Sequence, residues 1–350
     1  MSNNPLNAHH AEAGAQLGAP ESGAEGATIP LIYTDTAAEL SAACTTAGLI
    51  DLGHVGTISL EGPDARRFTN GMFTNNIRDL KPGECSRSAM CDDRGRVLGL
   101  LDIYCTGDEC FEGVLEGVST EWFESRYGMY IVFDDVEMTT HADGPWVLSL
   151  QGPAAAQVLA EADLPVPEVG HHLLSDSGIR VGAKDRSGLG GFDLIVDENN
   201  LKEIWLKLNN SGASPIGHDA LEALRVRHGR ARWPVDGTEK SMVHELGLRD
   251  EVCNFNKGCY LGQEVINRVD VKGQVTKQLH RIAITGSTQD ALGAAVELDD
   301  KVVGTITSVA ETPEGCVGLA VLRRAAWGAD QAVEIVHTAG RMSGRVQALS

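Results

Sequence analysis

The densest run of chemically capable side chains in the 350-residue sequence is Lys257-Gly258-Cys259-Tyr260-Leu261-Gly262-Gln263-Glu264-Val265-Ile266-Asn267-Arg268. Glycines on both sides of the Cys-Tyr pair let the backbone turn sharply or admit a close approach. The six residues from Gln263 read as a short helix, with Glu264 early and Arg268 late to match its dipole. Cys259 then stands just before a helix N-terminus and two residues from Lys257. Both features lower a thiol pKa, and the thiolate is the form that attacks an electrophile or binds a metal. The same residue reads equally well as a small packing side chain, because free cysteine is among the most buried residue types.

Other chemistries find less support. The eight cysteines contain no C-x-x-C pair, which argues against a zinc ribbon or a thioredoxin-type couple. Cys85, Cys91, Cys105 and Cys110 follow no cluster-binding spacing, so free thiols in a reduced compartment are expected. The histidines lack an H-E-x-x-H pattern, and the adjacent His171-His172 reads as loop. Gly188-Leu189-Gly190-Gly191 precedes a strand instead of opening a helix, so it is not a dinucleotide fingerprint. A net charge of −20 opposes direct contact with nucleic acid or anionic lipid. No apolar run reaches the length of about 18 residues that a membrane span needs. A cytoplasmic protein is expected.

The elements that must position the Cys259 segment can be read in outline. Residues 1–30 are mostly Ala, Gly, Glu and Asn, and are expected to form a disordered tail. Thr36 to Glu39 has the form of a capping box opening a helix. Strands are expected at Thr57 to Leu60, Arg96 to Tyr104, Cys110 to Leu115 and Tyr130 to Met138, with helices after Gly62-Pro63 and over Glu121 to Met129. The order restarts at Trp146. A strand runs into Gln151-Gly152-Pro153 and a helix, then the strand Gly191 to Val196 leads to a helix carrying Leu201, Ile204, Trp205 and Leu208. The echo of Leu60-Glu61-Gly62-Pro63 in Leu150-Gln151-Gly152-Pro153 suggests two α+β units, 31–145 and 146–256. The segment 257–276 connects them to 277–350, where about six short strands with turn residues such as Asp299-Asp300 predict a small β-barrel.

The stretch Lys-Gly-Cys-Tyr-x-Gly-Gln-Glu, with Arg268 four residues on, resembles the signature of the YgfZ-like folate-binding proteins. These belong to the superfamily of the glycine-cleavage T-protein, an aminomethyltransferase, and are related to mitochondrial iron–sulfur assembly factors. Thr74-Asn75-Asn76, Leu150-Gln151-Gly152-Pro153 and Gly318 to Arg324 look like the wider superfamily, so the resemblance covers residues 31–350. It implies an α+β fold in a three-domain ring, two α+β units and a C-terminal barrel, around a funnel that binds tetrahydrofolate. It further implies an accessory role in assembly or repair of iron–sulfur proteins, tRNA-modifying enzymes included. Cys259 would be the reactive thiol, with Lys257, Tyr260, Gln263, Glu264 and Arg268 near the folate, and the partners would be iron–sulfur proteins or an assembly scaffold.

Two departures bear on activity. T-proteins carry an Asp-Asp pair where this chain has Gly99-Leu100, leaving Asp102 as the nearest carboxylate. They also carry Gly-Tyr-Thr-Gly-Glu where this chain reads Gly188 to Phe192, without the Tyr and Glu that help hold the pterin. Aminomethyl transfer needs a carboxylate where charge changes in the transition state. The departures weigh against a classical aminomethyltransferase, which is the alternative function.

Overall fold

The computed structural model describes residues 4–20, 26–141, 143–273, 275–313, 315–338 and 340–349. Three β-structures organise them. The first is an antiparallel five-stranded sheet in the order Cys85–Cys91, Val97–Gly107, Cys110–Glu116, Thr57–Glu61, Glu137–His141. The second has six strands in the order His172–Leu174, Arg180–Ala183, Gly191–Val196, Trp146–Gln151, Gly48–Asp51, Ser214–Pro215. The third is a closed six-stranded barrel made from Lys277–Thr285, Ala295–Leu298, Lys301–Thr312, Gly315–Arg323, Ala332–His337 and Gly340–Gln347. The α+β class and the C-terminal barrel expected from the sequence are both present.

Local chemistry explains the repeated "strand, Gly-Pro, helix" unit. Gly62 and Gly152 both leave a strand at positive φ, 123° and 141°. A Cβ on Gly152 would lie 2.6 Å from the carbonyl oxygens of Ala43 and Thr46, and one on Gly62 would lie 2.4 Å from the Asp135 carbonyl oxygen. Only glycine accepts both the dihedral and the contact. The helix Thr36–Thr45 is capped one residue earlier than the sequence suggests. Asp35 accepts the Ala38 N–H, while Glu39 turns inward and accepts from the backbone of Tyr33, Thr34 and Gly217.

Three expectations need correction. The expected tail is ordered over residues 4–20, with a helix at Asn7–Glu12 and a strand Gln16–Gly18 paired to Ile29–Ile32. Leu6 and His10 are fully buried there, and the strand pairing and the contacts of Asn4 and His10 with Asp51 add to what offsets the ordering of the segment. Residues 1–3 and 21–25 of that stretch lie outside the described residues. The strand expected over Tyr130 to Met138 begins only at Glu137. Before it the chain is pinned to the helix start at Asp64, whose N–H donates to the Asp135 carbonyl and whose carboxylate accepts the Asp135 N–H, and Arg67 holds Asp134 at 2.5 Å. Finally, Gly48–Asp51 pairs with Trp146–Gln151, so the sheets do not divide at residue 145.

Candidate functional site

The strand Val97–Gly107 sets the site through its alternation. Leu101, Ile103 and Cys105 enter the core of the first sheet, whereas Leu100 and Tyr104 belong to other clusters on the opposite face. Asp102 shares that opposite face and is buried where the two sheets meet. The Lys184 ammonium, just beyond the strand Arg180–Ala183, donates to its Oδ1 at 2.7 Å. Arg87, directly across the ladder from Asp102, donates to Glu116 at 2.6 Å and to Glu251 at 2.9 Å. Arg186 grips Asp193 at 2.6 Å and reaches Glu116 at 3.4 Å. One charge network thus ties the first sheet, the second sheet and the short helix Arg249–Val252.

Its electrostatics are lopsided at the centre. Burial alone raises the carboxyl pKa of Asp102, but Lys184, Arg87 and Arg186 outweigh it and hold the group below the usual range. Burial and the neighbouring Arg87 pull Lys184 down against the attraction of Asp102. For Asp102 the three nearby cations decide the direction, and for Lys184 burial does. This surrounding favours the anionic form of Asp102.

Gln151, inside the Leu-Gln-Gly-Pro echo, fixes the cationic arm. Its amide donates to the Lys184 carbonyl at 2.9 Å and its oxygen accepts the Arg186 N–H at 2.8 Å. Arg87, Arg186, Glu116 and Glu251 form part of the wall of a cavity of about 170 Å³. His54 and His218 add imidazoles, Arg230 and Arg232 add cations, and Trp233, Leu221 and Leu349 add apolar surface. The walls come from the first sheet, the loops that leave strands of the second, residues between His218 and Glu251, and Leu349. A larger open groove of about 1130 Å³ lies along the barrel, but its Arg281 is bonded to Gln347 and the Arg227 carbonyl, and its Arg345 to the Asp330 carbonyl. The smaller cavity is the candidate site.

None of the residues expected around the Cys259 segment borders that cavity. Lys257 is buried, and its ammonium donates to the carbonyls of Asn70 and Phe73, each at 2.7 Å, and of Asn75. Burial pulls its pKa down to about 7, which the three carbonyls oppose by favouring the charged form. It also lies 5.0 Å over the Tyr260 ring, whose buried hydroxyl has no hydrogen-bond partner among the described residues. Cys259 is exposed at the turn before the helix Gln263–Lys272, and Glu264 and Arg268 are exposed on that helix. Gln263 opens it and is half-buried. The Lys257 clamp closes on Thr74-Asn75-Asn76, where Thr74 donates to the Val252 carbonyl. The segment therefore brings two superfamily-like stretches together and fastens the connection beside the site.

Sequence reasoning did not find Arg87, Glu116, Lys184, Arg186 or Glu251, which stand singly on separate elements. Asp102, a lone charge inside the apolar run Leu100 to Tyr104, was the available signal.

Comparison with known proteins agrees with this architecture. The family model described as "GCVT N-terminal domain" matches residues 6–257. The aminomethyltransferase of Thermosipho melanesiensis is 25% identical over 333 residues, covering 93% of this chain and 90% of the relative. That of Bacillus velezensis is 27% identical over 312 residues, covering 84% of each. The crystal structure of glycine cleavage system aminomethyltransferase T from Bartonella henselae superposes with a TM-score of 0.90 at 21% identity, covering 100% of this chain and 97% of that one. The family match spans most of the chain, including the N-terminal segment and the connection through Lys257. The chain belongs to the GCVT N-terminal domain family, within the T-protein superfamily.

Proposed function

We propose that this protein binds a tetrahydrofolate in the 170 Å³ cavity and serves, in a YgfZ-like role, as an accessory to the assembly or repair of iron–sulfur proteins, tRNA-modifying ones included. It would do so without classical aminomethyl transfer. The observation that carries this reading is the state of Asp102. Gly99 and Leu100 replace the expected carboxylate pair, and Asp102 is bound by Lys184 beside Arg87 and Arg186. A carboxylate neutralised in that way is poorly placed to stabilise new positive charge on a substrate amine. Cys259 supports the accessory half, because an exposed thiol away from the cavity is accessible to a protein partner. Aminomethyl transfer remains the second reading, favoured by the names of relatives that cover nearly the whole chain.

The residues present fit part of a folate. Sites for drug-sized ligands run to about 300–1,000 Å³, so this cavity suits a ring-sized head and leaves the tail outside. Trp233 and Leu221 would pack on a flat ring, and the half-exposed Arg230 and Arg232 would meet an anionic tail. Lys257 is committed to backbone carbonyls, so the cationic contact passes from it to this arginine pair.

Calorimetric titration with tetrahydrofolate tests the reading. Wild type should bind. Arg230→Ala and Arg232→Ala should each weaken binding roughly tenfold to a hundredfold, as expected for a charge-assisted contact. Cys259→Ser should bind as wild type does. Absence of binding to wild type would remove folate from the proposal.

A further inference from the structure

The N-terminal segment does more than cover apolar surface. Leu6 enters the second-sheet core, and the His10 ring packs edge-on against Trp205 at 4.8 Å between centroids. His10 Nε2 lies 2.8 Å from Asp51 Oδ2, and Asn4 donates its amide to the same oxygen at 2.6 Å. The other His10 nitrogen meets the Tyr33 hydroxyl at 2.8 Å. Asp51 is fully buried, so the N-terminal segment supplies two of the partners that make its carboxylate tolerable there.

Asp51 is also tied to the cavity wall. Its Oδ1 accepts the Gly53 N–H at 2.8 Å, at the start of a turn closed by the Val55 N–H on the Leu52 carbonyl. That turn carries His54. The Asp51 carbonyl accepts from His218 Nε2 at 2.8 Å, which assigns the ring proton to that nitrogen. The His54 and His218 rings stand 5.0 Å apart, and Leu52, His54, Val55 and His218 all line the cavity. Contact is tight at the junction, because a Cβ on Gly53 would fall 2.2 Å from the Asn4 amide nitrogen.

We propose that Asp51, held by Asn4 and His10, is a positioning residue through which the N-terminal segment sets the His54–His218 wall, so that ligand affinity in the cavity depends on docking of residues 4–18. The coupling runs through contiguous bonded groups from segment to wall. It rests on the folate reading only for the choice of probe ligand.

The test uses full-length His10→Ala, His10→Gln and Gly53→Ala, with Ile282→Ala in the barrel core as a control of matched global stability. Amide hydrogen exchange over residues 48–56 and 216–220 is measured beside tetrahydrofolate titration. His10→Ala and Gly53→Ala should speed exchange at 52–55 and weaken the ligand by about tenfold, within the usual range of coupling between sites. His10→Gln keeps a donor for Asp51 and should recover both readouts, and the control should leave both unchanged. Unaltered exchange at 52–55 in His10→Ala and Gly53→Ala would overturn the proposal, as would equal effects in the control. If wild type binds no tetrahydrofolate, the functional reading fails, and the exchange measurement alone still decides the positioning role.

Discussion

Replacing Asp102 with alanine is expected to cost about 3–5 kcal/mol of stability, the range for removing one partner of a buried ion pair. The cost comes from what remains. Lys184 would keep a buried ammonium near Arg87 and Arg186, with the more distant Glu251 at 3.9 Å as its remaining carboxylate. A paired replacement, Asp102→Leu with Lys184→Met, should recover most of the loss, because it removes both desolvated charges together. The folded pKa of Asp102 is depressed, so its contribution is complete above the unfolded carboxylate value of about 4 and disappears as pH falls through the lower folded value. Denaturant unfolding at pH 7 and at progressively lower pH measures both effects. The gap between wild type and Asp102→Ala should be widest at neutral pH and narrow in acid. A loss below about 1 kcal/mol would mark Asp102 as solvated and would return it as a candidate for the chemistry.

The second large effect lies at Lys257. Lys257→Met keeps the apolar stem but strips donors from the carbonyls of Asn70, Phe73 and Asn75. Hydrogen bonds to a charged group are worth about 1.5–3 kcal/mol each, and acceptors left buried add a penalty. A total loss of roughly 3 kcal/mol or more is expected from denaturant unfolding. Arg268→Ala, on the exposed face of the following helix, should stay within about 0.5 kcal/mol of wild type. A neutral Lys257→Met would show that the lysine is not the clamp between the 70–75 turn and the connecting segment.

How much was legible in the sequence depended on whether the signal was local. The barrel was readable because its strands alternate and are punctuated by turn residues. Asp299 and Asp300 take positive φ, 51° and 58°, at the turn they were expected to make. The segment over Tyr130 to Met138 misled for the same reason. Ile131, Phe133, Val136 and Met138 suit a strand, yet Phe133 is 96% exposed, because contacts to Asp64 and Arg67 fix the backbone first. The N-terminal segment failed by averaging. Its composition is that of a tail, but Asn4, Leu6 and His10 anchor it, and Asp51, which needs it, lies 41 positions beyond His10. The candidate site was the least legible. Arg87, Lys184, Arg186 and Glu251 look like ordinary surface charges until the fold gathers them around Asp102. By contrast, the conspicuous Lys257 to Arg268 run combines a structural clamp with an exposed thiol outside the cavity.

The most direct measurement of the central claim is a transfer assay on the purified protein, with tetrahydrofolate and a protein-bound aminomethyl donor, followed by detection of methylenetetrahydrofolate. Because Gly99 and Leu100 replace the carboxylate pair and Asp102 is held by Lys184, the account predicts tetrahydrofolate binding without product formation. Turnover that disappears in Asp102→Asn while folding and binding persist would contradict it, and would make this chain an aminomethyltransferase that uses a displaced carboxylate.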